Sequence, residues 1–545
     1  MQSIRRLSAT LLALAAATML AACGGGSGDV PAAAAPAGSE QPSVALGARG
    51  AGKSLPECPA PAATLVDITS VQGPDATSPL EGQRVSVRGI VTADFRASGG
   101  IGGLFIQQAR PDEDPRTSEG LYVFTADATP LLPGDFVQVT GTVVEFRRSG
   151  GDPLTQLAGS PVLERCGAAT LPKPTVLTLP VASAEEFERH EGMLLRFPQP
   201  LVVSGNFTLG RFGELVLSPT QRLYHPNNHP ELSPDAARDY NARARIVLDD
   251  SLNVQNPNPI PFLSAADTSG TRRAGDRVRQ LEGVLSYDFG AWRVQPTAAA
   301  EFVERNERTE APQRVGGTLR VASLNVLNWF TTLGQRGATT PEELQRQQAK
   351  LVETIVALDA DVLGLIEIEN NDGVALRALV DAVNARLGTP AYDFRSPGIP
   401  GTDQITVAVV YKPASVTAVG NPQVPDDPDF VVDGGLRPPV AQRFASAANG
   451  GSFWFVINHF KSKGGCPANA TSPDGDFGQG CWNASRVRQA QALARWVDGL
   501  VAGSGEADVL MAGDFNAYLQ RGSACRAARR GPRESARATA SEAAL

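Results

Sequence analysis

The sequence has no surplus of positive charge. It carries 49 Lys and Arg residues against 57 Asp and Glu, a formal net charge of −8 at pH 7. Because binding to a phosphate backbone is mainly electrostatic, this balance excludes a protein that holds nucleic acid by charge alone. It does not exclude an enzyme acting on phosphate esters, because bound cations can supply the positive field at the reacting phosphate.

Histidine and cysteine are scarce, with four and six residues in the chain of 545. Near the cysteines the Cys-x-x-Cys and His-x-x-x-His spacings are missing, so zinc is the weaker explanation of these residues and disulfide bonding the stronger. His225 and His229 lie among Asn and Pro residues in a predicted loop, and we interpret them as surface residues rather than metal ligands. Beyond the first 22 residues no apolar run is long enough to span a bilayer.

The first residues have the pattern of an export signal. Arg5 and Arg6 precede an apolar run from Leu11 to Leu20, and Leu20-Ala21-Ala22-Cys23 reads as a cleavage site. The segment resembles bacterial lipoprotein signals, which implies a signal peptide over 1–23 and a lipid attached to Cys23. A simple signal peptide with an incidental cysteine is the alternative. We therefore expect an exported protein, anchored to a membrane at the cell envelope or extracellular, with a flexible linker over residues 24–60.

Export permits disulfide bonds. Cys58 and Cys166 flank one predicted β module, which a bridge between them would close. Cys466 and Cys481 flank a loop rich in Gly, Pro, Asn and Asp, which a bridge would restrain. Cys525 has no evident partner, and the sequence alone does not fix the connectivity.

Residues 61–170 consist of short predicted strands separated by turn signals. The predicted strands are Arg84–Val91, Gly103–Gln107, Gly120–Phe124 and Phe136–Val143. Strands at this spacing predict a small barrel or sandwich. The cadence Gly-Asp-x-Val-x-Val-x-Gly-x-Val that starts at Gly134 resembles OB-fold modules, which implies an OB-like domain able to bind single strands by stacking. Phe105, Tyr122 and Phe124 are candidates for stacking, with core packing as the alternative.

A second β-rich domain is predicted over residues 171–305. Its segment Gly275 to Leu285 repeats part of the earlier cadence, which indicates a diverged copy of the same module. A polar linker from Glu304 to Arg314 then precedes a different pattern.

Residues 306–520 alternate between strand and helix patterns. Thr340 caps a predicted helix, with Pro341 at its first position and Glu343 completing a capping box. Val362–Ile366 is a continuous apolar run, typical of a strand buried on both faces. Further strands are predicted at Thr318–Leu324, Ile405–Tyr411, Phe453–Ile457 and Asp508–Met511, and a further helix over Val487–Leu500. This alternation predicts a layered α/β domain.

Polar side chains follow four of these predicted strands. They are Asn325, Glu367, His459, and the pair Asp514 and Asn516. Strand ends at one edge of a layered sheet converge, so we expect these groups to form one site. Carboxylate and amide oxygens suit Mg²⁺, which polarises a phosphate and stabilises a leaving oxygen. The pattern therefore indicates phosphodiester hydrolysis.

In these motifs, among them Leu-x-Glu at Glu367 and Gly-Asp-Phe-Asn at 513–516, the chain resembles the endonuclease/exonuclease/phosphatase superfamily. More narrowly, it is similar to secreted bacterial nucleases that join an OB-like module to such a domain. The resemblance implies an α/β four-layer sandwich preceded by one or two all-β OB-like modules. It covers about Gly316 to Leu519 strongly and the preceding β region loosely.

The resemblance also implies a role for each residue. Glu367 would hold the metal with Asn325 beside it, and His459 would donate a hydrogen bond or a proton to the phosphate. Asp514 would orient or deprotonate the attacking water, and Asn516 would fix the phosphate. Arg437, Asp403 and Lys461 are the candidates for substrate contact, whereas Glu369 is expected to be structural.

The C-terminal segment departs from the family pattern. The family closes with an acidic residue and a Ser-Asp-His element, but no Asp or His follows Asp514 here. Fourteen of the last 25 residues are Ala or Arg. We interpret residues 521–545 as an aberrant tail produced by a frameshift or gene-model error from about Gln520. The resemblance then implies an incomplete catalytic domain and little or no activity for the chain as written.

The sequence thus predicts a secreted, metal-dependent nuclease that uses Mg²⁺, Mn²⁺ or Ca²⁺ and acts on DNA or other nucleic acid. Two alternatives stay open. One is a phosphatase or phosphodiesterase of the same superfamily that acts on phospholipid headgroups or nucleotides. The other is a non-catalytic surface lipoprotein that binds nucleic acid through its β modules. No protein partner is implied.

Overall fold

The computed structural model describes residues 55–518 except 149–150, 265–266, 268–269, 314, 433 and 470. The described residues form two compact units that divide after Arg308. Within this described part, no helix has both the length and the apolar character needed to cross a membrane. The predicted signal peptide with Cys23, most of the predicted linker, Cys525 and the segment 521–545 lie outside the described residues.

The first unit begins with a closed barrel, which we call the first β module (residues 64–168). Its elements are strands β1 (Thr64–Leu65), β2 (Arg84–Asp94), β3 (Gly103–Gln107), β4 (Gly120–Phe124), β5 (Asp135–Phe146) and β6 (Leu154–Ala168), and helix α1 (Ile68–Gln72). Antiparallel pairs join β2 to β3, β3 to β4, β6 to β5 and β5 back to β2. A parallel pair between β4 and β6 completes the ring. The predicted strands of this region are confirmed.

Alternating side chains of these strands fill the barrel interior with Val, Ile and Leu. Phe105 and Tyr122 are buried in a second cluster, with ring centroids 4.8 Å apart, so core packing is the correct alternative for both. Phe124, by contrast, is half exposed. A disulfide bond joins Cys58 to Cys166, and therefore ties the segment before β1 to strand β6.

The second β module (residues 175–303) repeats this connection pattern. Its elements are β7 (Thr175–Val176), β8 (Leu194–Arg196), β9 (Leu201–Gly205), β10 (Leu215–Ser218), β11 (Ile246–Leu248), β12 (Arg277–Arg279), β13 (Glu282–Asp288), β14 (Ala291–Pro296) and β15 (Glu301–Val303), with helices α2 (Leu209–Phe212) and α3 (Pro234–Ala244). Antiparallel pairs run from β9 through β10 to β11 and from β14 through β13 to β8. One parallel pair, β11 with β14, connects the two runs, as β4 with β6 does in the first module.

The histidines of the second module serve the backbone. His225 caps a short 3₁₀ helix through its Nδ1, which accepts from the Asn227 amide at 3.2 Å. The Nδ1 of His229 accepts from the amides of Glu231 and Leu232 at 3.1 and 2.9 Å. His229 is buried, so the prediction of a surface position was wrong for this residue, although right for His225.

Buried carboxylates lie where the two β modules meet. Glu191 Oε1 accepts from the Thr155 amide at 3.0 Å and from Gln72 Nε2 at 3.3 Å, while its buried Oε2 has no hydrogen bond to any residue that the structure describes. Burial and the neighbouring Glu188 raise the pKa of Glu191. Burial, followed by the charges of Asp152 and Glu145, raises the pKa of Glu188 to about 7.

The second unit (residues 309–518) contains two four-stranded sheets and three long helices. One sheet has the order β16 (Val321–Trp329), β17 (Val362–Glu369), β19 (Ile405–Tyr411), β18 (Asp393–Arg395); the other has β20 (Val416–Gln423), β23 (Val440–Ser446), β24 (Ser452–His459), β25 (Val509–Asp514). A small hairpin consists of β21 (Val431–Val432) and β22 (Gly435–Leu436). The helices are α4 (Pro341–Leu358), α5 (Val374–Leu387) and α6 (Asn483–Ser504). These elements confirm a mixed α/β unit.

Strand β17 shows why the two sheets pack. Its Val362 and Ile366 face the other sheet, where they meet Phe455 and Ile457 of β24. Its Leu363 and Leu365 face the opposite way and pack against helices α4 and α5. Helix α6 covers the outer face of the second sheet. The predicted capping box of Thr340 and Glu343 is present and starts α4 at Pro341.

We predict that the first unit loses stability as the pH rises through neutrality. Because Glu188 and Glu191 have raised pKa values in the folded state, the folded unit binds more protons than the unfolded chain, and this stabilisation disappears above about pH 7. The expected loss between pH 5.5 and 8 is about 1–3 kcal/mol, measured by urea unfolding. Glu191→Gln should flatten the profile, and Glu301→Gln, at an exposed site, should not. An unchanged profile in Glu191→Gln would contradict this explanation.

Candidate active site

The polar residues that follow the buried strands lie together at one edge of the two packed sheets. In the parallel pair β24 and β25, His459 is in register with Asp514. In the parallel pair β16 and β17, Asn325 is in register with Ile366, the residue before Glu367. His459 Nε2 lies 3.9 Å from Glu367 Oε1 and 4.0 Å from Asp514 Oδ2. The two sheets therefore contribute one group of side chains.

A bulge in β17 directs Glu367 into this group. The pairing of β17 with β19 shifts register between Ile366 and Ile368. Ile366 faces the other sheet while Ile368 faces the helices, so Glu367 is an extra residue in the alternation. Its φ is 68°, a left-handed conformation that costs about 1–3 kcal/mol for a residue other than Gly. Backbone strain of this kind concentrates at functional sites.

Strand β16 bulges at the same level. Its register shifts between Asn325 and Trp329, and Leu327 and Asn328 also have positive φ. Asn325 Nδ2 donates to Glu367 Oε1 at 2.9 Å, and the Asn328 amide donates to Glu367 Oε2 at 3.0 Å. The two bulges thus fix both oxygens of Glu367.

His459 is neutral in this environment. Burial, followed by the positive charges of Arg437 and Arg336, lowers the pKa of His459 to about 2. Its Nδ1 is buried and has no hydrogen-bond partner among the described residues. A neutral imidazole in this position can donate a hydrogen bond through one nitrogen only, with the tautomer set by what binds.

Asp514 and Asn516 lie at the end of β25. Asp514 Oδ1 accepts from the Asn516 amide at 2.8 Å, and Asn516 Nδ2 donates to the Phe460 carbonyl at 3.1 Å. Gly513 of β25 has a φ of 135°, and a Cβ there would lie 2.0 Å from the Asn458 carbonyl oxygen of β24. Glycine is therefore required for β25 to approach β24 closely enough to set Asp514 beside His459.

Arg437 and Asp403 form a buried ion pair beside His459. Arg437 Nη1 lies 3.6 Å from Asp403 Oδ2, and Arg336 Nη1 lies 3.4 Å from Asp403 Oδ1. Arg437 Nη2 also donates to the Phe460 carbonyl at 3.2 Å. Both predicted residues are therefore at the site, but as partners of each other.

Lys461 is placed differently from the expected phosphate-facing position. Its side chain is only 5% exposed, and its ammonium group lies 5.0 Å from the ring centre of Trp482. Lys463, which the sequence analysis did not select, has its ammonium group 3.2 Å from the Asn516 carbonyl oxygen. Burial of Lys461 follows from helix α6, whose Gln489 side chain accepts from the Lys461 amide at 3.0 Å.

Glu369 has the structural position expected of it. Its Oε2 accepts from the amides of Thr331 and Thr332 and from the Thr331 hydroxyl, at 2.8 to 3.2 Å. The carboxylate therefore fixes the turn that follows β16.

A disulfide-closed loop borders the site. Cys466 and Cys481 are bonded, and Arg486 of helix α6 lies fully buried beneath the loop. The Arg486 guanidinium donates to the carbonyls of Lys461 and Cys481 at 3.1 and 2.8 Å and to those of Gln479 and Gly480 at 3.3 and 3.4 Å. One buried side chain thus holds both ends of the loop.

The donor set fits a hard divalent cation such as Mg²⁺. Among the described residues, no three His, Cys, Asp or Glu side chains are arranged to hold a metal alone. Mg²⁺, however, needs only one or two carboxylates, because it keeps several waters. Glu367 and Asn325 supply a carboxylate and an amide, and the buried Asn328 Oδ1 nearby has no hydrogen-bond partner in the described part of the chain. Glu367 and Asn325, with Asn328 beside them, are therefore the residues that could hold the ion.

Three further residues belong to the site but were not selected from the sequence. Asn328 lies in the bulge of β16, Arg336 lies in the turn after β16, and Lys463 lies two residues beyond Lys461. The short spacing between Asn325 and Asn328 in the sequence could have indicated that both belong to the site. Nothing local to Arg336 indicates that it pairs with Asp403, 67 residues away in the chain.

Comparison with known proteins identifies two regions. Residues 324–542 match the Endonuclease/Exonuclease/phosphatase family, and residues 179–307 match a domain of unknown function, DUF8508. The first match extends beyond residue 520, where the sequence analysis placed the end of the domain. No curated protein matches the chain.

Solved structures of low similarity also align with part of the chain. An endonuclease/exonuclease/phosphatase family protein of Bacteroides thetaiotaomicron aligns at 18% identity and a TM-score of 0.27, over 38% of this chain and 66% of that one. A mannosyl-6-phosphatase of Bacteroides thetaiotaomicron VPI-5482 aligns at 18% identity and a TM-score of 0.26, over 36% of this chain and 66% of that one. The human Nocturnin catalytic domain aligns at 20% identity and a TM-score of 0.24, over 36% of this chain and 65% of that one. The chain thus spans slightly less than two thirds of each of these proteins.

We predict that Arg486→Met loosens the disulfide-closed loop. Removing the guanidinium leaves three loop carbonyls and the Lys461 carbonyl without this donor, at an expected cost of about 2–4 kcal/mol in the free energy of unfolding. Limited proteolysis should cut between Gly464 and Gly480 faster in this variant. Arg488→Met is the matched control, because Arg488 is half exposed and its ion pair with Asp474 contributes about 0–1 kcal/mol. Equal cleavage in the two variants would contradict the assignment.

Proposed function

Because residues 324–542 carry a domain of the Endonuclease/Exonuclease/phosphatase family, whose members hydrolyse phosphoester bonds, we propose that this chain is a metal-dependent phosphodiesterase. More narrowly, we propose a secreted nuclease that acts on DNA or RNA. The observation that carries the proposal is the meeting of Asn325 and Glu367 from one sheet with His459 and Asp514 from the other.

The packing supports a four-layer α/β sandwich for the catalytic domain. Helices α4 and α5 cover one sheet, helix α6 covers the other, and the two sheets share an apolar interior. The strand pairing of both β modules supports OB-like folds, because in each a parallel pair joins two runs of antiparallel strands, and in the first module the ring is closed. These modules are the part of the chain that favours nucleic acid over other phosphate esters.

Each polar residue has a distinct proposed task. Glu367 and Asn325 would hold a divalent cation, for which we propose Mg²⁺, with Mn²⁺ or Ca²⁺ as alternatives; when bound, the ion polarises the phosphate. Asp514 is placed to orient a water and accept its proton, and neutral His459 to donate a hydrogen bond to a phosphate oxygen. Asn516 Nδ2 has one N–H beyond its bond to Phe460, which suits a phosphate oxygen.

Arg437 and Asp403 would act on substrate indirectly. Burial and the positive charges of Arg437 and Arg336 keep the His459 imidazole neutral, and Asp403 holds both guanidinium groups in place. Lys463 replaces Lys461 as the candidate cation at the phosphate, because its ammonium group borders Asn516.

We predict that Glu367→Gln weakens Mn²⁺ binding by at least about 10- to 100-fold, measured by titration calorimetry or electron paramagnetic resonance. Metal binding does not depend on turnover and is therefore measurable even in a chain of low activity. Plasmid nicking should fall in parallel and stop in EDTA. Glu353→Gln, at an exposed site on α4, is the control for both measurements. Unaltered Mn²⁺ affinity in Glu367→Gln would remove the metal assignment.

Asp514→Asn tests the proton-accepting role separately. It should lower nicking by on the order of 10²- to 10⁴-fold. Faster hydrolysis of phosphomonoesters or phospholipid headgroups than of DNA would favour the phosphatase alternative. DNA binding that persists in both variants, in a chain that never cleaves, would favour the non-catalytic alternative.

We further propose that the chain is exported and attached to a membrane through a lipid on Cys23. The two disulfide bonds support an oxidising location. In bacteria that express the chain, labelled palmitate should enter the wild-type protein, and Cys23→Ser should abolish the labelling and release the protein from the membrane fraction. Labelling that survives in Cys23→Ser would exclude this anchor.

A further inference from the structure

A large cleft separates the barrels of the two β modules. It encloses about 1080 Å³, above the range of roughly 300–1,000 Å³ common for pockets that take one small molecule. Beside the cleft the two modules are joined by a backbone bridge between Gly100 and Leu252 and by the Asn253 amide, which donates to the Gly99 carbonyl at 2.7 Å. The cleft is therefore a built feature of the first unit, and its size suits an oligomer.

Exposed aromatic rings converge on this cleft from both modules. Phe124 and Phe146 come from the first module, and Phe207 and Phe289 from the second. Phe124 is 52% and Phe289 55% exposed, although neighbouring Phe105 and Tyr122 are buried. Guanidinium groups cover two of these rings: Arg148 and Arg293 lie 4.6 and 5.1 Å from the ring centre of Phe289, and Arg148 also lies 5.5 Å from the ring centre of Phe146. The exposed rings of Phe124 and Phe207 are the surfaces on which flat molecules can stack.

The polar groups of the cleft add two specific features. Gln295 is 3% exposed, and its Oε1 has no hydrogen bond among the described residues, so it offers an acceptor to an N–H donor. Arg293 is balanced by Glu214 and Asp249, and Arg148 by Asp288. Among the cleft arginines that the structure describes, Arg245 alone forms no ion pair. The cleft is nearly neutral, with one cation available.

We propose that this cleft binds unpaired nucleobases of single-stranded nucleic acid. Every base has a π-face for stacking, and N–H groups at base edges, including the ring N–H of thymine, are donors for Gln295. Arg245 would pair with one phosphate of the strand. The near-neutral charge means that stacking, not counterion release, supplies most of the affinity. This inference rests on the proposed nuclease function, because it gives the β modules the task of holding the strand that the catalytic domain cleaves.

The test uses the full chain in EDTA, so that cleavage cannot interfere, with a fluorescein-labelled oligothymidylate and anisotropy as the readout. Phe124→Leu and Phe207→Leu should each weaken binding about tenfold, because stacking on one exposed ring is lost. Val162→Ala, at an exposed site of β6 that does not line the cleft, should bind as wild type. Circular dichroism checks that every variant is folded.

Salt dependence tests the charge argument. The slope of log K against log salt should be about −0.7, the value for a single phosphate contact on a single strand, and Arg245→Gln should bring it near zero. Arg84→Gln, which removes an exposed charge outside the cleft, should leave the slope unchanged.

Four outcomes would overturn the inference. They are wild-type affinity in the double variant of Phe124 and Phe207, equal affinity for duplex DNA, a steep salt slope, and Phe-dependent binding of a neutral oligosaccharide in place of the oligonucleotide. Glu367→Gln separates this inference from the catalytic proposal. It should bind the oligonucleotide normally in EDTA. Loss of cleavage with retained binding would therefore leave the cleft assignment standing. Loss of binding with retained cleavage would remove only the cleft assignment.

Discussion

Two adjacent parallel strands, β16 and β17, leave regular register at the same level of their sheet, and the geometry of the candidate active site depends on it. An unbroken β17 would alternate its side chains past Glu367 and turn the carboxylate toward the helices. The extra residue and its left-handed φ instead direct the carboxylate toward Asn325 and His459. The Asn328 amide, itself positioned by the β16 bulge, holds it there. The strain at Glu367 is tolerated because both neighbouring strands fix the bulge.

Periodicity predicted the elements of this structure more completely than it predicted their contacts. The apolar runs at Val362–Ile366 and Ile405–Tyr411 identified buried strands, because the alternation of polar and apolar residues, or its absence, can be read from a short stretch of sequence. The exposure of Phe124 and the burial of Tyr122, two residues earlier on the same strand, depend instead on what lies over each ring. That information comes from the second module and is not present in the strand's own sequence.

The same distinction applies to the candidate site. Asn325, Glu367, His459 and Asp514 follow strands, and strand order places them together, so motif reasoning identified them. The pairing of Arg437 with Asp403 and the burial of Lys461 under α6 depend on long-range packing. The bulge at Glu367 also has no local signature, because Leu-Ile-Glu-Ile-Glu is a regular strand sequence. The structure shows the bulge through the register shift with β19, the left-handed φ of Glu367 and the face that Ile368 occupies.

Glycine allows the two β modules to meet at backbone distance. A Cβ on Gly120 would lie 2.1 Å from the Gly192 carbonyl carbon, and one on Gly192 would lie 2.7 Å from the Leu121 amide. Around this contact, Gln72 Nε2 donates to the Gly120 carbonyl and Ser118 Oγ to the Glu191 carbonyl. Contact at this range leaves no room for a hinge. In solution the two β modules should tumble together with one rotational correlation time, and not independently of each other.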